Sequence, residues 1–519
     1  MRRLFLLALL CAGLPGGARA DEPADPIRAG YELFYRGDLR GAYDHFRALA
    51  ERDPDNLAAA YGALSAVYVR DQAEEALEAE FDERADALLR RAGARLERNP
   101  QDGEALFYLA QTHGLRAGYR FQRQKDFFGA VRDATKSKHY SEAYVQLDPG
   151  RADAYLGLGL YNYYADIAPA FLKLLRVLLF IPGGDRTLGL EQLERAAREG
   201  ELWAPQAKLE LIQIYGWLEG RVDEAVGLAE ALAQAYPENP EIGLRLARLY
   251  AGPAVEDYGA AAEQLERLLA RAEARHPHYP AAIRFQALLA LAEVRAQQWR
   301  LQEAITLLET VIDSRAADPA WALPRALLAR GRYRALLDQS DADADARRVL
   351  AEPRWKDKWH EPARRQLEWA AARRASGEAA RYAELVPGNR LVAEGRAELA
   401  AKFYKQQQQL HPDDPHVRYR LARLRFLRGE WAEAEGEFSR LADKPGSSPD
   451  WLRAGVLLHL ARLHDVRGER EAAVKLYRKV ADDYESESAA LAARLGLVTP
   501  YRPPAARSAA RIDSRPATR

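Results

Sequence analysis

The sequence predicts an all-α, right-handed solenoid of helix-turn-helix repeats, and three observations carry that expectation. Apolar residues recur at helical spacing along most of the chain. A glycine, alanine and aromatic skeleton returns at a period of about 34 residues. No stretch alternates apolar and polar residues convincingly enough to call for a sheet.

The first element is a leader. Arg2 and Arg3 precede an apolar run from Leu4 to Leu10, and Ala18-Arg19-Ala20 stands ahead of the acidic Asp21-Glu22. Basic, apolar and small-residue segments in that order read as a secretory signal peptide over residues 1–20, cleaved after Ala20. Cys11 follows Leu10, where lipid attachment needs a small residue, so ordinary cleavage is preferred to lipidation. Cys11 is the only cysteine and leaves with the leader, so no disulfide, thiolate metal site or cysteine nucleophile is expected afterwards. Losing Arg2, Arg3 and Arg19 from 76 basic residues against 76 acidic ones takes the net charge to about −3. Nucleic acid is a poor partner for such a chain, because phosphate binding needs a strongly basic face. With 48% hydrophobic and 29% charged residues the composition is that of a soluble globular protein. No later uncharged apolar stretch approaches the roughly 18 to 20 residues of a membrane span.

The repeats come next. The clearest copy runs from Leu202 to Pro237, with Leu209, Ile212 and Tyr215 on a first helix, Gly220 at the turn, Ala225 and Ala229 on a second helix, and Pro237 at its close. The skeleton returns as Gly37, Ala42, Phe46 and Pro54; as Gly395, Ala400, Tyr404 and Pro412; as Gly429, Ala434 and Phe438; and as Gly468, Ala473 and Tyr477. Each position has a packing task. Glycine takes the backbone angle of a tight turn, alanine lets two helices approach, the aromatic fills the space between them, and proline ends the unit. Asp53-Pro54, Asn99-Pro100, Asp148-Pro149 and His411-Pro412 punctuate the chain at helical-hairpin intervals. This pattern resembles the tetratricopeptide repeat, and roughly eleven units can be counted.

Two departures divide the array. The unit from Asn56 to Pro100 is about ten residues longer than the template and holds an acidic segment around Glu74 to Glu83. From Leu336 to Trp369 the repeat fades, which predicts a hinge or irregular junction between two arms. The expected layout is therefore an N-terminal solenoid over 21–335 with an apolar insertion at 165–186, a junction over 336–376, C-terminal repeats over 377–499, and a disordered, arginine-rich tail over 500–519.

The region from Gly114 to Gly200 is the most distinctive. Its run Leu156-Gly157-Leu158-Gly159-Leu160-Tyr161-Asn162-Tyr163-Tyr164, then Ala168-Pro169, Pro182-Gly183-Gly184-Asp185-Arg186, Gly189-Leu190 and Ala204-Pro205, resembles the tetratricopeptide repeat domain 39 and yeast inclusion-body-clearance proteins. The likeness spans about residues 149–250 and rests on the order of the motifs. It implies a helical solenoid associated with membranes or lipid-rich bodies, without catalysis, and offers no site residues to carry over. Those relatives are intracellular, so their cellular role does not transfer to a chain with a leader.

Ala168 to Ile181 reads as an apolar helix, with Phe171, Leu174, Leu175, Leu178 and Leu179 on one face and Lys173 and Arg176 opposite. It is too short to span a bilayer. A core plug, a membrane-surface helix with Phe171, Lys173, Leu174, Arg176 and Leu178 at the interface, and a partner-binding helix are all open, the plug foremost. Asp185 reads as a helix cap rather than part of a phosphate loop. Between Arg116 and Lys138, seven basic residues interleave with aromatics, so Tyr119, Phe121 and Arg123 are candidates to grip an anionic, sugar-like or peptide ligand, against the plainer reading of an amphipathic helix pair. Trp217, Tyr419, Arg423 and Phe426 should project onto the concave face.

No catalytic constellation is visible. His360-Glu361 lacks the second histidine of a zinc helix, His276 and His278 stand alone, and no Gly-x-Ser-x-Gly elbow occurs. The expectation is a non-enzymatic protein without cofactor or metal: a protein-binding adaptor or assembly scaffold of the bacterial cell envelope, exported to the periplasm, holding a protein or peptide in its concave groove. The alternatives are a peripheral membrane or lipid-associated protein docked through 168–181 and, last, an enzyme of unfamiliar type.

Overall fold

A computed structural model describes residues 25–503 except 75–76, 168–181, 275, 277, 315–318, 444–447 and 486. The expected leader, the tail beyond 503 and the apolar segment carrying Phe171, Lys173, Leu174, Arg176 and Leu178 therefore lie outside the described residues.

The described residues form an all-α solenoid. Helices α1 (Pro26–Arg36) and α2 (Leu39–Arg52), α3 (Leu57–Glu74) and α4 (Glu78–Arg98), and α5 (Gly103–Tyr119) and α6 (Phe127–Leu147) pack as successive hairpins. They continue through α7 (Ala154–Ile167) and α8 (Arg186–Glu199), α9 (Ala204–Trp217) and α10 (Val222–Ala235), α11 (Pro240–Ala251) and α12 (Tyr258–Glu273), and α13 (Ala281–Gln297) and α14 (Leu301–Asp313). Three helices, α15 (Ala322–Leu336), the short α16 (Ala344–Ala351) and the long α17 (Lys356–Ala375), then stand where a pair would. The pairs resume as α18 (Glu378–Ala393) and α19 (Ala397–Leu410), α20 (Pro415–Leu427) and α21 (Trp431–Ala442), and α22 (Asp450–Val466) and α23 (Arg470–Asp483), with α24 (Ser488–Val498) covering the last hairpin.

The local chemistry explains this regularity. Gly37, Gly220, Gly395, Gly429 and Gly468 all have positive φ, as their placement in the repeat predicts, and Gly377 joins them. Ala42, Ala225, Ala400, Ala434 and Ala473 are completely buried at the helix crossings, and Phe46, Tyr404, Phe438 and Tyr477 fill the space beside them. Asp53, Asn99, Asp148 and His411, each followed by proline, are the C-caps of α2, α4, α6 and α19. Asp38, Asp102, Asp126, Asp185 and Asp257 start their helices by accepting the N–H three residues on. Glu256, Trp299 and Asp338 take the left-handed angle without being glycine, at φ 54°, 60° and 54°. Such an angle costs an L-residue about 1 to 2 kcal/mol.

The first eleven helices enclose an aromatic core. The Trp203 ring lies 6.3 Å from Tyr31, 5.3 Å from Tyr61 and 5.0 Å from Phe107, joining α1, α3 and α5 to the start of α9. Asp153, itself buried, fixes that tryptophan by accepting the N–H groups of Glu201, Leu202 and Trp203 at 2.9 to 3.3 Å. Tyr35 packs on Tyr236 at 5.7 Å, and Asn239 donates its amide to the Tyr35 carbonyl at 2.9 Å. The chain's own rings fill the space between these helices, because large aromatics gain most when fully buried.

A second closure brings the C-terminal helices onto the middle repeats. The turn residues of three successive hairpins each meet a C-terminal side chain: the Gly220 carbonyl accepts from the Thr499 hydroxyl at 3.2 Å, Glu256 pairs with Arg462 at 3.6 Å, and the Trp299 ring lies 5.5 Å from Tyr382.

Candidate functional site

The inner face of α18, α20 and α22 brings arginines and aromatics together. Tyr382 lies at its centre, with the guanidinium of Arg373 4.7 Å and that of Arg420 5.1 Å from its ring. Trp451 stands 5.9 Å from Tyr382 edge to face and 5.8 Å from Tyr419. Glu378 joins the two ends of the cluster, accepting from Arg373 Nη1 at 2.6 Å and from the Trp451 indole at 2.7 Å. Arg420, 5% exposed, donates to Asn389 and to the His416 carbonyl but pairs with no carboxylate among the described ion pairs. Arg373 Nε and Nη2 and His416 Nδ1 are buried without a hydrogen-bond partner among the described residues. Burial, reinforced by Arg420, holds His416 down at about 4, and burial holds His459 at about 3, so both imidazoles are neutral near pH 7. The face is therefore cationic and aromatic, suited to acidic and ring-bearing groups, and it contains no nucleophile with a base beside it.

A second cluster looks more like chemistry. Asp133 on α6, fully buried, accepts from His113 Nδ1 at 2.7 Å, from Arg116 at 2.8 and 2.9 Å and from Arg120 at 2.5 Å. Burial favours the neutral acid, but the hydrogen bonds from His113 and Arg116 override it and hold the carboxyl at about 2. The arginines supply the countercharge, so burial keeps His113 below its usual value. This arrangement joins α5 to α6 and is structural.

The structure separates the residues that the sequence grouped. Tyr119 is 1% exposed and stacks on Phe81 at 3.9 Å, and Phe426 is 2% exposed against Trp431 and His459. Both are corrected from surface anchors to core, since rings buried between helices cannot meet a ligand. Phe121 is exposed at the tip between α5 and α6, and Arg123 beside it is half-buried. Trp217 is 38% exposed and faces Leu495 of α24. Tyr419 and Arg423 are half-buried on the inner face described above. Tyr382 and His416 escaped the sequence reading although both stand thirteen residues before a turn glycine, Gly395 and Gly429. Counting back further from each turn would have found them.

Elsewhere, a cavity of about 340 Å³ opens between α10, α11 and α12, walled by Gln234, Tyr236, Asn239, Gln264, Arg267 and Arg271. Among the described residues no group of three or more His, Cys, Asp or Glu is placed to hold a metal ion, and no helix is long and apolar enough to cross a membrane. His276 and His278 lie ring to ring at 5.0 Å, near Glu238 and Asp38 at 4.0 and 3.9 Å.

Residues 391–455, from α18 into α22, match the family model for the tetratricopeptide repeat. This stretch is separate from residues 149–250, which carry the finer resemblance. No curated protein matches the chain. Similar solved structures include a tetratricopeptide repeat protein from Parabacteroides merdae, 14% identical, covering 56% of this chain and 99% of that one with a TM-score of 0.25. The tetratricopeptide repeat domain of P58(IPK) is 13% identical over 84% of this chain and 97% of its own, with a TM-score of 0.23.

Proposed function

We propose that this solenoid of tetratricopeptide-type repeats is a non-catalytic protein-binding adaptor or assembly scaffold of the bacterial cell envelope, which takes a protein or peptide partner on its inner C-terminal face. The observation that carries the reading is the convergence of the half-buried Tyr382, Tyr419 and Trp451 from helices of successive hairpins, backed by the buried guanidiniums of Arg373 and Arg420. Arginine, tyrosine and tryptophan concentrate binding energy at interfaces, and helices stacked in register present them at regular spacing. Export to the periplasm is proposed from the leader-like order of residues 1–20. Photocrosslinking tests the reading by comparing positions 419 and 423 on the inner face with Gly436 on α21, where an added side chain meets open space. Capture of one protein at the inner positions and not at 436 is expected. Equal capture at all three would remove the inner face as the binding surface.

One observation favours a second reading, docking to a membrane surface, in keeping with the resemblance to lipid-body-associated relatives. Phe121 at the tip between α5 and α6, Phe127, Phe128 and Val131 at the start of α6, Tyr164 and Ile167 at the end of α7, and Leu188 at the start of α8 are all exposed. Ile167 and Leu188 flank segment 168–181, which is apolar in sequence and lies outside the described residues. Under this reading Phe128→Asp with Val131→Asp abolishes flotation with anionic vesicles while unfolding is unchanged; flotation unaffected by the pair would sink it.

A further inference from the structure

Of the three contacts between the C-terminal arm and the middle repeats, one falls on a turn glycine, Gly220, and two fall on residues that break the repeat's own rule. The turns after α11 and α13 place Glu256 and Trp299 at the left-handed angle that the glycine-bearing turns assign to Gly220, Gly395, Gly429 and Gly468. Each gives up backbone comfort at a position where glycine is free of it. Each also reaches across to the other arm: Glu256 meets Arg462 of α22 at 3.6 Å, and the Trp299 ring meets Tyr382 of α18 at 5.5 Å. Lys125 and Asp338 take the same angle without reaching the other arm, so it is the pairing of angle and contact at Glu256 and Trp299 that singles these two turns out.

What these two side chains touch is the cationic, aromatic face itself. Tyr382 is the ring on which Arg373 and Arg420 stack, and Arg462 also lies 4.8 Å from the Tyr501 ring. An indole on the aromatic cage and a carboxylate on the arginine are complementary in kind to that face. We propose that the inner face of α18, α20 and α22 docks a segment carrying an aromatic and an acidic side chain, and that Trp299 and Glu256 of the chain's own middle repeats hold it closed as a built-in competitor. The inference rests on the adaptor reading and adds the partner's chemistry and its gate. Binding then requires the arms to part, so the closed population lowers the apparent affinity for a partner.

The test uses the full chain with Trp299→Gly and Glu256→Gly, which removes both side chains while giving each turn the residue its angle favours. Spin labels go at Gly227→Cys on α10 and Gly436→Cys on α21, two sites with open space around them, in a Cys11→Ser background. The double glycine variant should lengthen and broaden the distance between labels. It should also bind a fluorescent Glu-Trp-Glu-Trp peptide about tenfold more tightly than the native chain, while a Lys-Trp-Lys-Trp peptide binds to neither. A native chain that binds the acidic peptide as tightly as the variant overturns the closure and leaves the binding face standing. A variant with parted arms that binds no peptide, or binds both peptides alike, overturns the face's assigned chemistry.

Discussion

Single residues here act mainly through buried charge and backbone angle. Asp133 serves His113, Arg116 and Arg120 at once, so Asp133→Asn removes the anion shared by two half-buried guanidiniums, which keep only Asp86 and Asp126, and should cost about 2 to 3 kcal/mol in urea unfolding at pH 7. With a folded pKa of about 2 against an unfolded value of about 3.9, the carboxylate's contribution is complete above pH 4 and fades as pH falls through 2. It amounts to about 2.6 kcal/mol, and the asparagine variant should lose that part of the acid dependence. An unchanged acid titration of stability would show that the cluster carries no net linkage. At the turns, Gly429→Ala forces a methyl group into φ 79° and should lower stability by about 1 to 2 kcal/mol. The same change at Gly436, mid-helix with nothing within 4 Å, should be neutral or slightly stabilising, so calorimetry on the two variants separates angle from packing.

Among elements, the start of α9 organises the N-terminal half. Trp203 is buried among rings from α1, α3 and α5, and Trp203→Ala should cost about 3 to 5 kcal/mol, with faster amide exchange in all three helices. Exchange rising only within α9 would show that the ring is a local plug. Asp153→Asn keeps the size of the side chain that holds residues 201–203 but weakens its acceptors, so near-ultraviolet dichroism should fall before helicity does.

Across the whole molecule, packing is uneven. One continuous core joins Tyr31 to Leu249, whereas the hairpins from α18 onward hold smaller separate cores around Leu385, Phe438 and Tyr477. A quasi-linear array opens first where neighbours share least, so amides of α19 and α21 should exchange about tenfold faster than those of α3 and α9. Equal protection in both halves would make the protein a single cooperative unit. The same contrast explains what could be read from residues alone. Turn glycines, crossing alanines, their aromatic partners and the proline stops were legible because each answers to neighbours within one repeat. Tyr119 and Phe426 were misplaced because a ring's burial depends on Phe81 or His459, which come from other hairpins. The closure at Gly220, Glu256 and Trp299 was invisible, since nothing local at those turns refers to Thr499, Arg462 or Tyr382.

The contact between α1 and α11 also sets an order of events during synthesis. The Tyr35 carbonyl waits for the amide of Asn239, 204 residues later, and Tyr31 waits for Trp203. At about 5 to 20 residues per second the first helix emerges tens of seconds before its lid exists. Its tyrosines are then uncovered while most of the N-terminal half is still being made. A chain cut short before residue 203 leaves Tyr31 without the Trp203 ring and the Tyr35 carbonyl without the Asn239 amide, a surface that the complete chain covers.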